Sequence, residues 1–384
     1  MRRNRRALSV LQQAMGSRPI RAIALAAVAL ALPGLAAASW AATKGSATAP
    51  PAPASLTTRQ LAGQHLIYAY SGLRPPAALE RRIGLGEAAG VILFNRNIAS
   101  RAQLRAQVAR LQAIPRPAGL RAPLLIMIDQ EGGLVKRLAG APRRSPAQLG
   151  RIGSAGVARS EGAATAANLR GAGVNVDLAP VLDVARPGSF QERLGRSYGR
   201  DPALVARLGT AFAGGLRAGR VAATAKHFPG IGVPRVDEDT VASRIGLSRE
   251  SLRGIDEAPF VAAVHGGIDL VMLSTAVYPA FDSLPALYSR RVGTDELRGR
   301  LGFGGVAITD DLETASAAGY GTPQRRASTA TRAGADLLLF AQSYANGARA
   351  LEALVQDARA GRVSGAELRR STGRVLALRQ SLAG

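Results

Sequence analysis

GVAITD at 305–310 and ADLLLF at 335–340 are the two stretches on which the reading of the fold turns. Each is a short, continuous apolar run, the pattern of a strand buried on both faces. Between them, TPQRRASTATRAG (322–334) opens on Thr322–Pro323 and closes on Gly334, as a helix does. Together they make a strand–helix–strand unit, the element of parallel α/β architecture. The same unit recurs outward along the chain. HLIYAY (65–70), VILF (91–94), PLLIMID (123–129), VNVDLAPV (174–181), TAKHF (224–228) and LVMLS (270–274) bring the strand candidates to eight. Helical segments are expected at 100–114 behind a Ser100 cap and at 201–219 behind an Asp201 cap with Pro202 in the first turn. Further helices are expected at 248–267 and 364–384. Eight such units over roughly 330 residues favour a closed, TIM-type (β/α)8 barrel over an open doubly wound sheet. No Pro/Gly/Ser-rich linker divides residues 56–384, which are expected to form a single barrel domain.

The N-terminal region reads differently. Arg2, Arg3, Arg5, Arg6, Arg18 and Arg21 precede the apolar run 22–42, and small residues follow at 37–42. Positive charge, an apolar core and then small residues describe a secretory signal. An uncleaved membrane anchor is the competing reading, because the run is about long enough to span. Residues 1–42 are thus expected to direct export to the periplasm or the outside, or to tether the protein to the membrane. Residues 43–55, TKGSATAPPAPAS, have no periodicity and read as a disordered linker.

Composition narrows the chemistry. The chain has 384 residues, 47% of them hydrophobic, enough for a large buried core. It has no cysteine, which excludes disulfides, thiolate metal sites and thiol nucleophiles. His65, His227 and His265 are the only histidines, too few for a multi-histidine zinc site. No metal and no organic cofactor is expected. The formal charge is +24; the first 43 residues carry six arginines and no acid, so the remainder still carries +18. A basic protein is drawn to anionic polymers. Aromatics are only 4%, however, and the arginines are spread along the chain, so no specific nucleic-acid partner is expected.

In a barrel the chemistry sits at the carboxyl ends of the strands. Those ends carry Asp129, then Asp177 and Asp183, then Lys226 with His227, then Asp310 with Asp311. In IDQEGGLVKR (128–137) the pair Gly132–Gly133 permits a tight turn beside Asp129, from which Arg137 reaches back into the mouth. Lys226 and His227 are adjacent donors, and adjacent strand residues point oppositely. Both face a ligand only where the strand loses regularity, as the following Pro229–Gly230 suggests. The polar loop 230–241 holds Asp237, Glu238 and Asp239 and is placed to deliver an acid over the pocket. Asp310 ends the seventh strand, while Asp311 is expected to cap the next turn. An enclosed carboxylate among basic residues suits an acetal nucleophile or a metal ligand.

GVILFNRNI (90–98), IDQEGGLVKRL (128–138), GVNVDLAPVLDV (173–184), GRSYGRDP (195–202), AKHFPGIG (225–232) and GFGGVAITDDLE (302–313) occur in this order. As a set they resemble the N-terminal barrel domain of glycoside hydrolase family 3, in its bacterial β-N-acetylhexosaminidase branch. That branch is involved in cell-wall muropeptide metabolism. The resemblance implies a retaining exo-β-glycosidase with Asp310 as nucleophile. It implies that Asp129, Arg137, Arg196, Lys226 and His227 bind the sugar. Two departures matter. Where the branch carries the Asp-x-His acid/base pair, this chain has Asp237 and Asp239, so Asp239 stands at the histidine position. Ile231 and Thr275 stand at two further histidine positions of the branch. A carboxylic acid needs a raised pKa to act as a general acid near neutral pH. Asp239, held by repulsion from Asp237, is the expected donor, with Glu238 as a neighbouring candidate. The expected substrate is β-linked N-acetylglucosamine in peptidoglycan fragments. Two readings stand beside this one: a β-glucosidase-like exo-glycosidase, and an envelope carbohydrate-binding barrel without turnover.

Overall fold

The structure, a computed structural model, describes residues 55–383 except Glu238. The expected leader and linker therefore lie outside the described residues, save Ser55, as does the Glu238 candidate. Eight parallel strands follow one another around a ring: β1 (Leu66–Tyr68), β2 (Gly90–Leu93), β3 (Leu125–Ile128), β4 (Val176–Asp177), β5 (Ala222–Phe228), β6 (Leu270–Leu273), β7 (Val306–Thr309) and β8 (Leu338–Phe340). β8 pairs back onto β1, with Leu66 opposite Leu338 and Tyr68 opposite Phe340. A bridge from Ile308 to Leu337 joins β7 to β8 and closes the barrel. The eight expected strands are these eight.

Boundaries differ where backbone chemistry intervenes. The expected strand 174–181 shrinks to β4, because Pro180 has no N–H to give to a ladder; beyond it only the bridge between Val181 and Lys226 continues the pairing. The expected helix 248–267 is broken into Arg249–Ser251, a wide turn at Leu252–Asp256, and Ala258–His265. Pro259 sits in the first turn of the last piece, the one place where its missing N–H costs nothing. The other expected helices form as Arg101–Ala113, Pro202–Ala218, Pro323–Ala333 and Gly365–Ser381. Ser100, Asp201, Thr322 and Ser364 each accept a backbone N–H as their caps.

Alternation along the strands explains the continuous apolar runs. Ile67, Ile92, Leu125, Met127, Val176, Leu270, Met272, Val306, Ile308 and Leu339 fill the barrel interior. Their neighbours Leu66, Val91, Ile126, Val271, Ala307 and Leu338 face the surrounding helices. Both faces are therefore dry. Val375 and Leu378 of the last helix, and Leu382 beyond it, join the interior cluster. Arg379 of that helix is fully buried and donates to the carbonyls of Leu120, Ala122 and Pro123, just before β3. The last helix thus plugs the amino-terminal end of the barrel and leaves the carboxyl end for chemistry.

Packing between strands is tight enough to test. Gly90 lies opposite Leu125, and a Cβ added there would stand 2.0 Å from the Leu125 carbonyl oxygen. Gly90→Ala is expected to destabilise the fold by about 1–3 kcal/mol or more, read as a lower midpoint in urea unfolding. An unchanged midpoint would contradict this close approach.

Candidate active site

The alternation that fills the barrel also builds its mouth. Leu125 and Met127 point inward, and so do Val306 and Ile308. The next residues in phase are Asp129 and Asp310, which reach the axis at the carboxyl ends of β3 and β7. Lys226 continues the inward series of β5. By the same rule His227 should face outward. However, β5 slips in register against β6 between Ala225 and Phe228. Both side chains line the same pocket of about 280 Å³. Asp129, Arg137, Arg196, Lys226, His227, Asp237, Asp239 and Asp310 all line it, so these eight candidates come together, whereas Asp177 and Asp183 stand behind the lining.

One wall is a network of opposed charges. Lys226 Nζ lies 2.9 Å from Asp129 Oδ1 and 2.7 Å from Glu131 Oε1. Arg196 grips Glu131 with two parallel hydrogen bonds, Nε to Oε2 at 2.9 Å and Nη2 to Oε1 at 2.8 Å. Arg137 Nη2 reaches Asp129 Oδ2 at 3.3 Å. The hairpin of Gln130–Gly132 with Val135–Lys136 brings Arg137 back. The buried Gln130 side chain staples it, accepting from the Arg137 and Leu138 N–H groups and donating to the Leu138 and Ala141 carbonyls. Gly132 turns the hairpin at φ +99°, where a Cβ would stand 2.4 Å from the Arg144 carbonyl oxygen. Burial alone would raise the pKa of both acids. The charges of Lys226 and Arg137 overcome this at Asp129, and those of Arg196 and Lys226 at Glu131, so both are held below the ordinary carboxylate range. Burial likewise opposes the charge on Lys226, and the two carboxylates outweigh it and hold its pKa up. The result is a rigid, ionised array aimed at one small volume.

Asp183, fully buried, fixes His227. Its Oδ2 lies 2.8 Å from His227 Nδ1, and its Oδ1 accepts the backbone N–H groups of His227 at 3.1 Å and Ile231 at 2.9 Å. A carboxylate on Nδ1 places the proton of the neutral ring there and sets the ring's orientation. Asp177, also at a strand end, is fully buried, accepts from Gln130 N–H and is pushed up to about 8 by burial. It holds the end of β3 to β4 and does not line the pocket.

The opposite wall is acidic. Asp310 Oδ1 accepts the Asp311 N–H at 2.8 Å. Asp311 turns its own carboxylate away to the Glu313 and Ala341 N–H groups, capping the next turn as the sequence predicts. In the loop after β5, Asp237 accepts the Asp239 N–H at 3.1 Å, and its carbonyl accepts from Thr240 and Val241. Asp237 thereby forms the turn that presents Asp239. The Asp239 carbonyl accepts the Ala315 N–H at 3.0 Å, tying this loop to the segment after β7. Asp239 keeps one face open to solvent at the pocket edge. Its pKa is nevertheless pushed up to about 7. Loss of solvation against the pocket wall is the largest cause, followed by the negative charges of Asp310 and Asp237, with His227 acting the other way. A carboxyl with a raised pKa beside a second carboxyl group is suited to the acid's role, leaving the other for the nucleophile's.

A sequence profile for the glycosyl hydrolase family 3 N-terminal domain matches residues 61–378. The chain belongs to glycosyl hydrolase family 3. This family 3 chain is 39% identical over 329 residues to a secreted glycosyl hydrolase of Arthroderma benhamiae, spanning 84% of this chain and 93% of the other. It is 39% identical over 262 residues to a beta-hexosaminidase of Xanthomonas oryzae pv. oryzae, spanning 65% and 75%. A family 3 β-N-acetylglucosaminidase from Paenibacillus superposes with a TM-score of 0.81 at 38% identity, covering 85% of this chain and 63% of that one. The chain thus spans less than two thirds of the Paenibacillus protein. A β-N-acetylhexosaminidase from Beutenbergia cavernae superposes with a TM-score of 0.79 at 31% identity, covering 85% and 99%. The protein is therefore a glycoside hydrolase of the hexosaminidase-like branch.

One residue of the array, Glu131, escaped the sequence reading, as did the role of Asp183. Glu131 sits inside the quoted run IDQEGG, two residues after Asp129, and strand alternation places both acids on one side. Asp183 was visible as a buried-strand acid but had no partner until the β5 slip brought His227 to it.

Proposed function

We propose that this family 3 member is an exported, retaining exo-β-N-acetylglucosaminidase acting on peptidoglycan fragments. Asp310 is its nucleophile and Asp239 its general acid/base. The observation that carries the reading is Asp239 lining the same pocket as Asp310, where loss of solvation and the Asp310 charge raise its pKa to about 7. Asp310 attacks the anomeric carbon while the Asp239 O–H gives its proton to the leaving oxygen, and a glycosyl ester forms on Asp310. Esterification removes the Asp310 charge, and with it one cause of the raised Asp239 pKa. Asp239 is then a carboxylate suited to take a proton from water. That water attacks the anomeric carbon, and Asp310 is released as the carboxylate.

The ionised array of Asp129, Arg137, Arg196 and Lys226, with His227, binds the sugar's hydroxyl groups. A pocket of about 280 Å³ above a plugged barrel suits one terminal sugar, which supports exo action. The likeness to the Paenibacillus β-N-acetylglucosaminidase supports N-acetylglucosamine as that sugar, and the secreted relative supports export. Release of aglycone from an aryl β-N-acetylglucosaminide, with slower release from the matching glucoside, is the expected result. Equal or faster turnover of the glucoside would overturn the sugar assignment. Liberation of N-acetylglucosamine from a muropeptide tests the fragment assignment.

Asp183 is a positioning residue for His227. Asp183→Asn is expected to lower kcat/KM by roughly 10–100-fold, the worth of one hydrogen bond to a charged group. A histidine NMR spectrum should show the His227 tautomer altered. An unchanged tautomer with unchanged kinetics would contradict the assignment.

A further inference from the structure

A second pocket, of about 190 Å³, lies at the other end of the barrel. His65 immediately precedes β1 there, and Asp336 lies two residues before β8. Asp336 is fully buried and saturated. It accepts from Arg298 Nη2 at 2.5 Å, Arg374 Nη2 at 2.6 Å, Ser371 Oγ at 2.7 Å and the Ala307 N–H at 2.9 Å. What remains in the pocket is one donor without an acceptor and a cationic rim. His65 is fully buried and lines this pocket. Its polar surroundings are Asp336, the Leu368 backbone and Arg374. Burial pushes its pKa down to about 4, so at neutral pH the ring keeps one N–H. Arg298 Nε, on the same lining, is equally buried and unpartnered. Arg290, Arg332 and Arg370 complete the rim, exposed and without an ion pair among the described residues.

Buried donors without acceptors are rare in folded proteins. One such donor, Arg298 Nε, beneath three guanidinium groups without ion pairs among the described residues, calls for a ligand rich in acceptor oxygens and negative charge. We propose that this pocket binds an oxyanion of the phosphate class, as a free ion or as a group carried on a phosphodiester polymer. Glu367 is the one lining carboxylate besides Asp336, and it does not neutralise the rim. The site is on the barrel face opposite Asp310, so an anionic polymer held there leaves the active site open. It also gives a role to part of the basic excess of the chain, which glycoside hydrolysis does not use.

The three histidines make the test specific. The full chain, labelled with isotopic histidine, is titrated at constant ionic strength with inorganic phosphate and then with poly(glycerol phosphate). His227→Gln and His265→Gln assign the His65 signal by elimination, without disturbing the pocket under test. The His65 signal is expected to move saturably with phosphate. In Arg290→Ala/Arg370→Ala its apparent affinity is expected to fall at least about tenfold, with aryl-glycoside hydrolysis unchanged. Response to the polymer at lower phosphate equivalents identifies the polymer as the source; response to phosphate alone identifies the free ion. A His65 signal that stays still, or moves equally with chloride, would overturn the proposal. Equal phosphate affinity in the double variant would overturn it as well.

Discussion

Asp310→Ala is expected to lower kcat/KM on an aryl β-N-acetylglucosaminide by about 10⁴-fold or more, with little change in the thermal unfolding midpoint. Asp310 makes no ion pair among the described residues, and its side chain accepts only the adjacent Asp311 N–H there, so its removal leaves the barrel intact. Its neighbours Val306 and Ile308 stay packed in the interior, and Asp311 keeps its own cap. The loss therefore falls on chemistry. Without the carboxylate there is no glycosyl ester, and the reaction has no two-step path. In Asp310→Asn the charge that helps to raise Asp239 is also gone, so the Asp239 carboxyl should titrate lower than in the wild type. Near wild-type turnover by either variant would remove Asp310 from the nucleophile's role.

The second large effect concerns Asp239 and depends on the leaving group. Asp239→Asn is expected to cost about 10²–10⁴ in kcat/KM on sugar–sugar linkages, whose leaving oxygen needs a proton. With a dinitrophenyl leaving group, which needs none, kcat/KM should stay near the wild-type value. Its kcat should still fall, because water attack on the ester has lost its base, and azide should restore it. The pH profile has a definite sign. Asp239 works as an acid only while protonated, so wild-type kcat/KM on natural linkages falls as pH rises through about 7. Asp239→Asn removes that limb. Retention of full activity on disaccharides by Asp239→Asn would place the proton donor elsewhere.

Much of this was legible in the sequence for a physical reason. Strands buried on both faces read as unbroken apolar runs, and closure of the β7–β8 pair onto β1 needed only their number. The inward phase of Leu125, Met127 and Asp129, and of Val306, Ile308 and Asp310, follows from the two-residue period of a strand. What escaped depended on departures from that period. His227 enters the pocket through the register slip after Ala225, and only then does Asp183 acquire its role. Glu131 pairs with Arg196 across 65 residues, a contact no local pattern signals. The wide turn at Leu252–Asp256 broke an expected helix because Pro259 forces a new first turn. At Asp239 the sequence supplied the residue and its neighbour Asp237. The proximity of Asp310, a stronger influence on its proton than Asp237, came from the loop's attachment to Ala315.

The central claim is the covalent step at Asp310. Incubation with a 5-fluoro-N-acetylglucosaminyl fluoride, which forms the ester quickly and hydrolyses it slowly, followed by digestion and mass spectrometry, reads that step directly. The account predicts one added fluoroglycosyl residue on the peptide containing Asp310, absent from the Asp310→Ala protein. A label on another carboxylate, or none while the reagent is turned over, would contradict it.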